Sequence, residues 1–254
     1  MTGEVPLSAL LASPLILLVP AAILVWFRVP LVKDAAVASV RMALQFALVG
    51  LYLGWVFEYN RLWLTLLWTA ATAAVAAQTA LHRARVGWRT MGLPVVAALV
   101  LGMAVPLAFV VVLVERKLPF LDARTTIPFC GMILGHCMKN VVIALRTFQS
   151  DARARAHAVR CALALGATRA EALRPSFRRA IEDALAPHIA GMAAAGLVTL
   201  PGMMTGVMVG GASPLAAVEY QWLLLTAVFA AKALTVVLAI SLALRRNRLL
   251  PEFR

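Results

Sequence analysis

The sequence predicts an all-α, polytopic membrane protein, and three observations carry that prediction. Of the 254 residues, 63% are hydrophobic and 14% charged, where a soluble domain would be nearer half apolar and a quarter charged. The mean hydropathy is +0.89. Apolar runs approaching the ~20 residues that cross a hydrocarbon layer recur from end to end, with most basic residues placed between them.

Seven spans are expected, at roughly Leu7–Phe27, Met42–Phe57, Leu62–Leu81, Met91–Val114, Ile127–Leu145, Pro187–Val209 and Trp222–Leu244. The second is short, so its start is placed earlier, near Val37. The first follows an N-terminus without a basic region, whose only early charge is Glu4. It is longer than a signal-peptide core and reads as a retained span. Trp26, Trp55, Trp63, Trp88 and Trp222 lie near span ends, where aromatic belts form. The whole chain, 1–254, is expected to form one membrane domain, in contact with lipid and without a nucleic-acid partner. The net charge of +13 is a membrane-loop bias here, since no arginine-rich arm or nucleic-acid motif accompanies it.

Charge sets the expected orientation. Of 24 Lys and Arg residues, 18 follow spans one, three, five and seven, and only Arg61, Arg116, Lys117 and Arg124 occupy the alternate loops. The positive-inside rule then puts the N-terminus outside and the C-terminus in the cytoplasm. Cys130 and Cys137 stand seven apart on one expected helix, about 10.5 Å of rise and too far for a bridge. With Cys161 they imply no disulfide framework.

The largest cytoplasmic segment, about 146–186, reads "RTFQSDARARAHAVRCALALGATRAEALRPSFRRAIEDALA". Ala152 to about Leu165 has helical composition. Gly166 supplies a C-cap. Thr168 with Glu171 three residues later forms a capping box, and Pro175 keeps the next helix short or kinked. Ala170, Leu173 and Phe177, with Leu163 and Ala167 beside them, form an apolar stripe suited to a partner's groove. The same arginine-flanked helix also suits an anionic lipid surface, and the spacing does not separate the two.

Within this segment "RCALALG", Arg160–Gly166, resembles the E-A-A-x-x-x-G coupling motif of ABC transporter permeases. Arg160 stands at the family's Glu and Cys161 at its first Ala, while Ala162 and Gly166 match. "LALGATRAEALRP" followed by "GLVTLPGMMTG" resembles, more specifically, the FetB family of iron-export permeases and the related plant aluminium-resistance permeases. The resemblance covers most of the chain, from about span two to span seven. It implies a homodimeric, non-enzymatic permease subunit in the inner (cell) membrane of a bacterium, exporting a metal, iron by this analogy. It also implies that Arg160, Cys161, Ala162, Gly166, Ala167, Thr168, Glu171, Leu173 and Pro175 form the surface that meets a separate ATPase. Consistent with that, the chain has no G-x-x-x-x-G-K-[ST] and no Gly-Lys pair, so it has no P-loop to hold ATP. ATP, the one cofactor expected, belongs to the partner. The exchange of Glu for Arg160 reverses a charge on the docking surface.

Polar side chains inside spans usually face a path. In "IPFCGMILGHCMKNVVIAL", His136, Lys139 and Asn140 share a helical face. His136, Cys137, Met132, Met203, Met204 and Met208 offer soft and imidazole ligands of the kind transition metals take. A transient metal site at His136, Cys137, Met203 and Met204, and plain core filling by Cys and Met, both fit. Lys139 would repel a cation unless it snorkels to the interface. Gly131 and Gly135, and Gly202, Gly206 and Gly210, form faces spaced by four, which let helices approach closely. Spans five and six are thus expected to touch each other or a second copy. Pro201 is a candidate hinge, with static packing the other reading. A passive channel or ion-coupled carrier is the rival function. It would want intramembrane carboxylates, and Asp34 and Glu58 lie only at span ends. Glu182, Asp183 and His188 lie close together before span six, where helix surface charge accounts for them, and no nucleophile–base set suggests an enzyme.

Overall fold

A computed structural model describes residues 8, 12–114, 123–197 and 201–245. Among them the protein is all-α, with no strand. It divides into two compact units, Met1–Tyr59 and Asn60–Arg254.

In the first unit a 3-10 turn at Ser13–Leu17 leads into α1 (Leu18–Trp26), and α2 (Val32–Tyr59) follows. The turn between α1 and α2 is closed by Arg28 N–H to Val25 C=O at 3.0 Å and Val29 N–H to Leu24 C=O at 2.9 Å. Arg28 takes a left-handed φ of 52° there. The first expected span therefore includes only a 14-residue apolar helical stretch, Ser13–Trp26. Its start at Leu7 lies outside the described residues. α2 starts at Val32, ten residues before Met42, because a helix continues past the hydrocarbon edge wherever water can solvate its polar first turn. Asp34 lies in that turn and suits the positive helix end. Trp55 and Tyr59 meet one turn apart with tilted rings, centroids 4.9 Å apart.

The second unit holds α3 (Leu62–Ala84), α4 (Trp88–Val114), α5 (Ala123–Ala154), α6 (Ala156–Ala164), α7 (Arg169–Ala172), α8 (Arg174–Ala194), α9 (Gly202–Val209) and α10 (Pro214–Arg245). α5 is central and packs on α3, α8 and α10, while α4 lies against α10 and α3. Small residues set the spacing. Ala73, Ala77, Ala80 and Ala84 bury one stripe of α3, which lets backbones come together where lipid gives little hydrophobic drive. Leu81, Met91, Leu99, Ile133, Leu145, Phe148 and Ile240 fill the centre and are fully buried. α4 and α10 meet most tightly at Gly102, where an added Cβ would run into the Thr235 hydroxyl and lie 3.1 Å from its Cα.

Among the described residues five helices are long and apolar enough to cross a membrane: Val32–Tyr59, Leu62–Ala84, Trp88–Phe109, Thr126–Ala154 and Pro214–Leu244. The sixth expected span, Pro187–Val209, is not one helix. α8 enters it from the polar segment and ends at Ala194; Ala195 is extended and Gly196 has φ +86°. Residues 198–200 lie outside the described set, and α9 begins after Pro201. Irregular backbone of this kind at membrane depth is tolerated where it is buried in protein or lines a cavity.

The polar segment is not separate from the bundle. α5 runs unbroken from Ala123 through Arg146 to Ala154, so the expected fifth span continues straight into it. Val159 and Leu173 pack into the core that Phe148 and Ala152 belong to. Arg146 donates from Nε (2.8 Å) and Nη2 to the carbonyl of Arg83. This tie joins the basic end of α3 to the basic half of α5.

Candidate functional site

Two places in the second unit gather the residues singled out above. The first is the elbow between α6 and α8. Gly166 has φ +91°, a conformation L side chains rarely adopt. Its N–H bonds the Leu163 carbonyl at 3.1 Å and the Ala167 N–H bonds the Ala162 carbonyl at 3.0 Å, a Schellman ending. The capping box forms as expected: Glu171 N–H donates to Thr168 Oγ1 at 3.3 Å, and Thr168 N–H donates to Glu171 Oε2 at 2.8 Å. The Thr168 hydroxyl also donates to that carboxylate at 2.7 Å. The hydroxyl and then the amide of Thr168 hold the Glu171 carboxyl below its ordinary pKa. Pro175 falls in the first turn of α8, where its missing donor costs nothing.

The apolar stripe is corrected by the fold. Leu173 is 1% exposed and belongs to the core, and Phe177 is half-buried against it. The side chain offered outward is instead Leu165, 89% exposed, at the end of α6. Arg160, Cys161, Thr168, Ala170 and Glu171 are exposed around this elbow, while Ala162 and Ala167 are half-buried. Cys161 Sγ lies 3.7 Å from His157 Nδ1, one turn back.

The second place is a cavity of about 290 Å³ between α5, α8, α10 and the start of α9. Met132 and His136 reach it from α5, His188 from α8, Met203 from α9 and Gln221 from α10. Pro201 and Gly202 also line it, so the broken backbone forms part of its wall. His188 stacks on Phe229, with ring centroids 5.7 Å apart, and its Nδ1 lies 2.9 Å from Lys232 Nζ. Lys232 is 5% exposed and Gln221 7%. Gln221 Oε1 is buried with no hydrogen-bond partner among the described residues, and the ring of His188 also meets the backbone of Leu225.

The expected path residues separate. His136 and Met203 line the cavity with Met132, whereas Met204 and Met208 do not. Cys137 is fully buried in the helix core, and Cys130 nearly so. Lys139 is exposed. Asn140 Nδ2 donates to the Ala184 carbonyl at 2.7 Å, so it pins α5 to α8 rather than facing a path. Among the described residues no three His, Cys, Asp or Glu side chains cluster as metal ligands. The two glycine faces are open: a Cβ at Gly131, Gly135, Gly202 or Gly206 would meet nothing within 4 Å, and one at Gly210 only its own helix's carbonyls at 3.4 Å. The close approach between α5 and the sixth-span segment is therefore absent within one chain at these glycines. Pro201 caps the start of α9 instead of kinking a continuous helix.

Sequence reasoning missed Lys232 and Gln221 and set His188 aside as helix surface. The signal for Lys232 was present: it is the only charge between Glu219 and Arg245 in the last apolar run, and an intramembrane charge is a functional signal by default. Glu182 and Asp183 do lie on the helix surface, where Arg179 contacts Glu182 at 3.8 Å and Asp183 at 3.1 Å.

Among the described residues, five helices of hydrocarbon length and a mostly helical chain without strands are the features of a multi-pass membrane protein. The chain belongs to the Uncharacterised protein family (UPF0014), whose family model matches residues 7–247. It is 31% identical over 216 residues to the UPF0014 membrane protein YjkA of Bacillus subtilis, covering 84% of this chain and 83% of that one. It is 34% identical over 185 residues to Protein ALUMINUM SENSITIVE 3 of Arabidopsis thaliana, covering 71% and 65%. Against the Probable iron export permease protein FetB of Escherichia coli it is 28% identical over 219 residues, covering 86% and 83%. No solved structure matches the chain.

Proposed function

We propose that the protein is the membrane subunit of an ABC transporter, acting as a homodimer, moving a metal outward and driven by ATP hydrolysis on a separate chain. The observation that carries this reading is the elbow. A Schellman turn and a capping box hold a short, exposed segment rigidly at the basic end of a helix that continues through the bundle to His136 and Met132. A push on that elbow is transmitted along α5 and, through the Asn140–Ala184 bond, along α8 to the cavity. Leu165 is the apolar anchor for the ATPase, with Arg160 and Thr168 around it. Family membership supports the same reading, since one relative bears the name of an iron export permease. The basic loops face the cytoplasm of a bacterial cell, and the protein sits in its inner membrane.

The test is co-purification. The full-length chain, affinity-purified from its own host's membranes, is expected to bring down a P-loop ATPase whose hydrolysis rises on reconstitution. Leu165→Asp should lower ATPase recovery at least tenfold while leaving the yield of folded permease unchanged. Recovery of the permease alone, with cargo flux independent of ATP, would favour the passive channel or carrier.

A further inference from the structure

The cavity between α5, α8, α9 and α10 holds about 290 Å³, and its wall is mostly apolar. Its chemistry is set by the few donor atoms it offers. Met132 and His136 stand four residues apart on α5, so they share one helix face a turn apart, and both line the cavity. Met203, in the first turn of α9, lines it beside the broken backbone at Pro201. Two thioethers and one imidazole thus border a single space. None of them is sealed in the core. Met203 is 38% exposed, and Met132 and His136 are half-buried. Met91, by contrast, is fully buried, as suits a thioether that only fills a core.

Other donors are withheld from the space. Gln221 supplies the one side-chain oxygen in the wall, and that Oε1 is buried. His188 turns Nδ1 toward Lys232 at 2.9 Å, its Nε2 is buried, and its ring also meets the Leu225 backbone. No carboxylate lines the cavity. The groups that act electrostatically on His136 are the bases Lys232, Lys139 and His188.

Hard cations take carboxylate, carbonyl and water oxygens, and this wall presents none from a side chain. Thioether sulfur selects soft ions, and neutral imidazole suits them too. Among bases, repulsion of a cation grows with its charge, so a monovalent ion meets the least of it. We infer that Met132, His136 and Met203 form a site for a soft monovalent metal ion, copper(I), as the cargo of this cavity. The inference rests on the permease reading and names the class of metal that it moves.

The experiment uses the full-length chain in a neutral maltoside detergent under anaerobic conditions. Copper(I) is titrated in competition with a chromophoric copper(I) chelator, and silver(I) serves as a redox-inert second probe. Cys161→Ser is the background, since an exposed thiol binds these ions by itself, while Cys130 and Cys137 are buried. One copper(I) per chain should bind, with sulfur and nitrogen neighbours in its X-ray absorption spectrum. Excess iron(II) or manganese(II) should not displace it. The double variant Met132→Leu, Met203→Leu nearly conserves side-chain volume, and an unchanged unfolding temperature without metal shows that its fold is intact. It should bind copper(I) and silver(I) about tenfold more weakly or worse. Copper(I) affinity unchanged in the double variant would overturn the inference, as would its displacement by iron(II) or manganese(II), or no binding to the background chain. ATPase recovery from the host membranes reads the permease assignment independently, so either claim can fail alone.

Discussion

Gly102 and Gly131 carry the same side chain in the same kind of helix, and they should respond to substitution in opposite ways. At Gly102 the Thr235 backbone and hydroxyl leave no room for a Cβ. Gly102→Leu should cost about 1–3 kcal/mol or more through overpacking, read as a lower unfolding temperature in detergent. Gly131→Ala and Gly206→Ala enter open space and should leave the isolated chain as stable, or more stable by up to about 1 kcal/mol from helix propensity. If those open faces seat the second protomer, bulkier Gly131→Leu should lower the dimer fraction in crosslinking without lowering the unfolding temperature of the monomer. At the residue scale, spacing in the sequence marked Gly131 and Gly206 and passed over Gly102. It could not rank them, because a small residue permits a close approach and only a neighbour makes one.

At the element scale the elbow was legible in detail. Gly166, Thr168, Glu171 and Pro175 act through bonds within five residues, so the local string specifies them. The capping box makes a pH-dependent prediction. The Glu171 carboxyl is held below its ordinary value of 4.5 by hydrogen bonds from Thr168. A depressed folded-state value means the carboxylate's contribution is complete above about 4.5 and is lost as the pH falls through the lower, folded value. Amide exchange at Glu171, measured by mass spectrometry after correction for intrinsic rates, should accelerate below pH 4.5 and should already be fast at neutral pH in Thr168→Ala. The apolar stripe was misread at this scale. Leu173 has helical spacing suited to either side, and contact with the core turned it inward. The sixth span was misread because hydropathy counts apolar residues and does not see that Gly196 and Pro201 interrupt them.

For the whole molecule, orientation is the testable consequence of charge. With 18 of 24 basic residues in alternate loops, a reporter active only in the cytoplasm should be active when fused after Arg254, and one active only outside should be silent there. The Arg146–Arg83 bond joins two of those basic segments, as a shared cytoplasmic face requires. Protection of an engineered cysteine at Arg85 from an impermeant thiol reagent in intact cells is expected on the same ground.

The sequence by itself determined that the protein is helical, that it lives in a membrane, where the third and fourth spans begin and end, and how the elbow is capped. These follow from hydropathy, charge and bonds between near neighbours, all local in the chain. Only the tertiary structure decided which polar residues share a cavity. His136, His188, Met203 and Gln221 come from four different helices. No period links them, because their meeting depends on how closely α4, α5, α8 and α10 approach, and that distance is set by small side chains such as Gly102 pressed against partners far away in sequence.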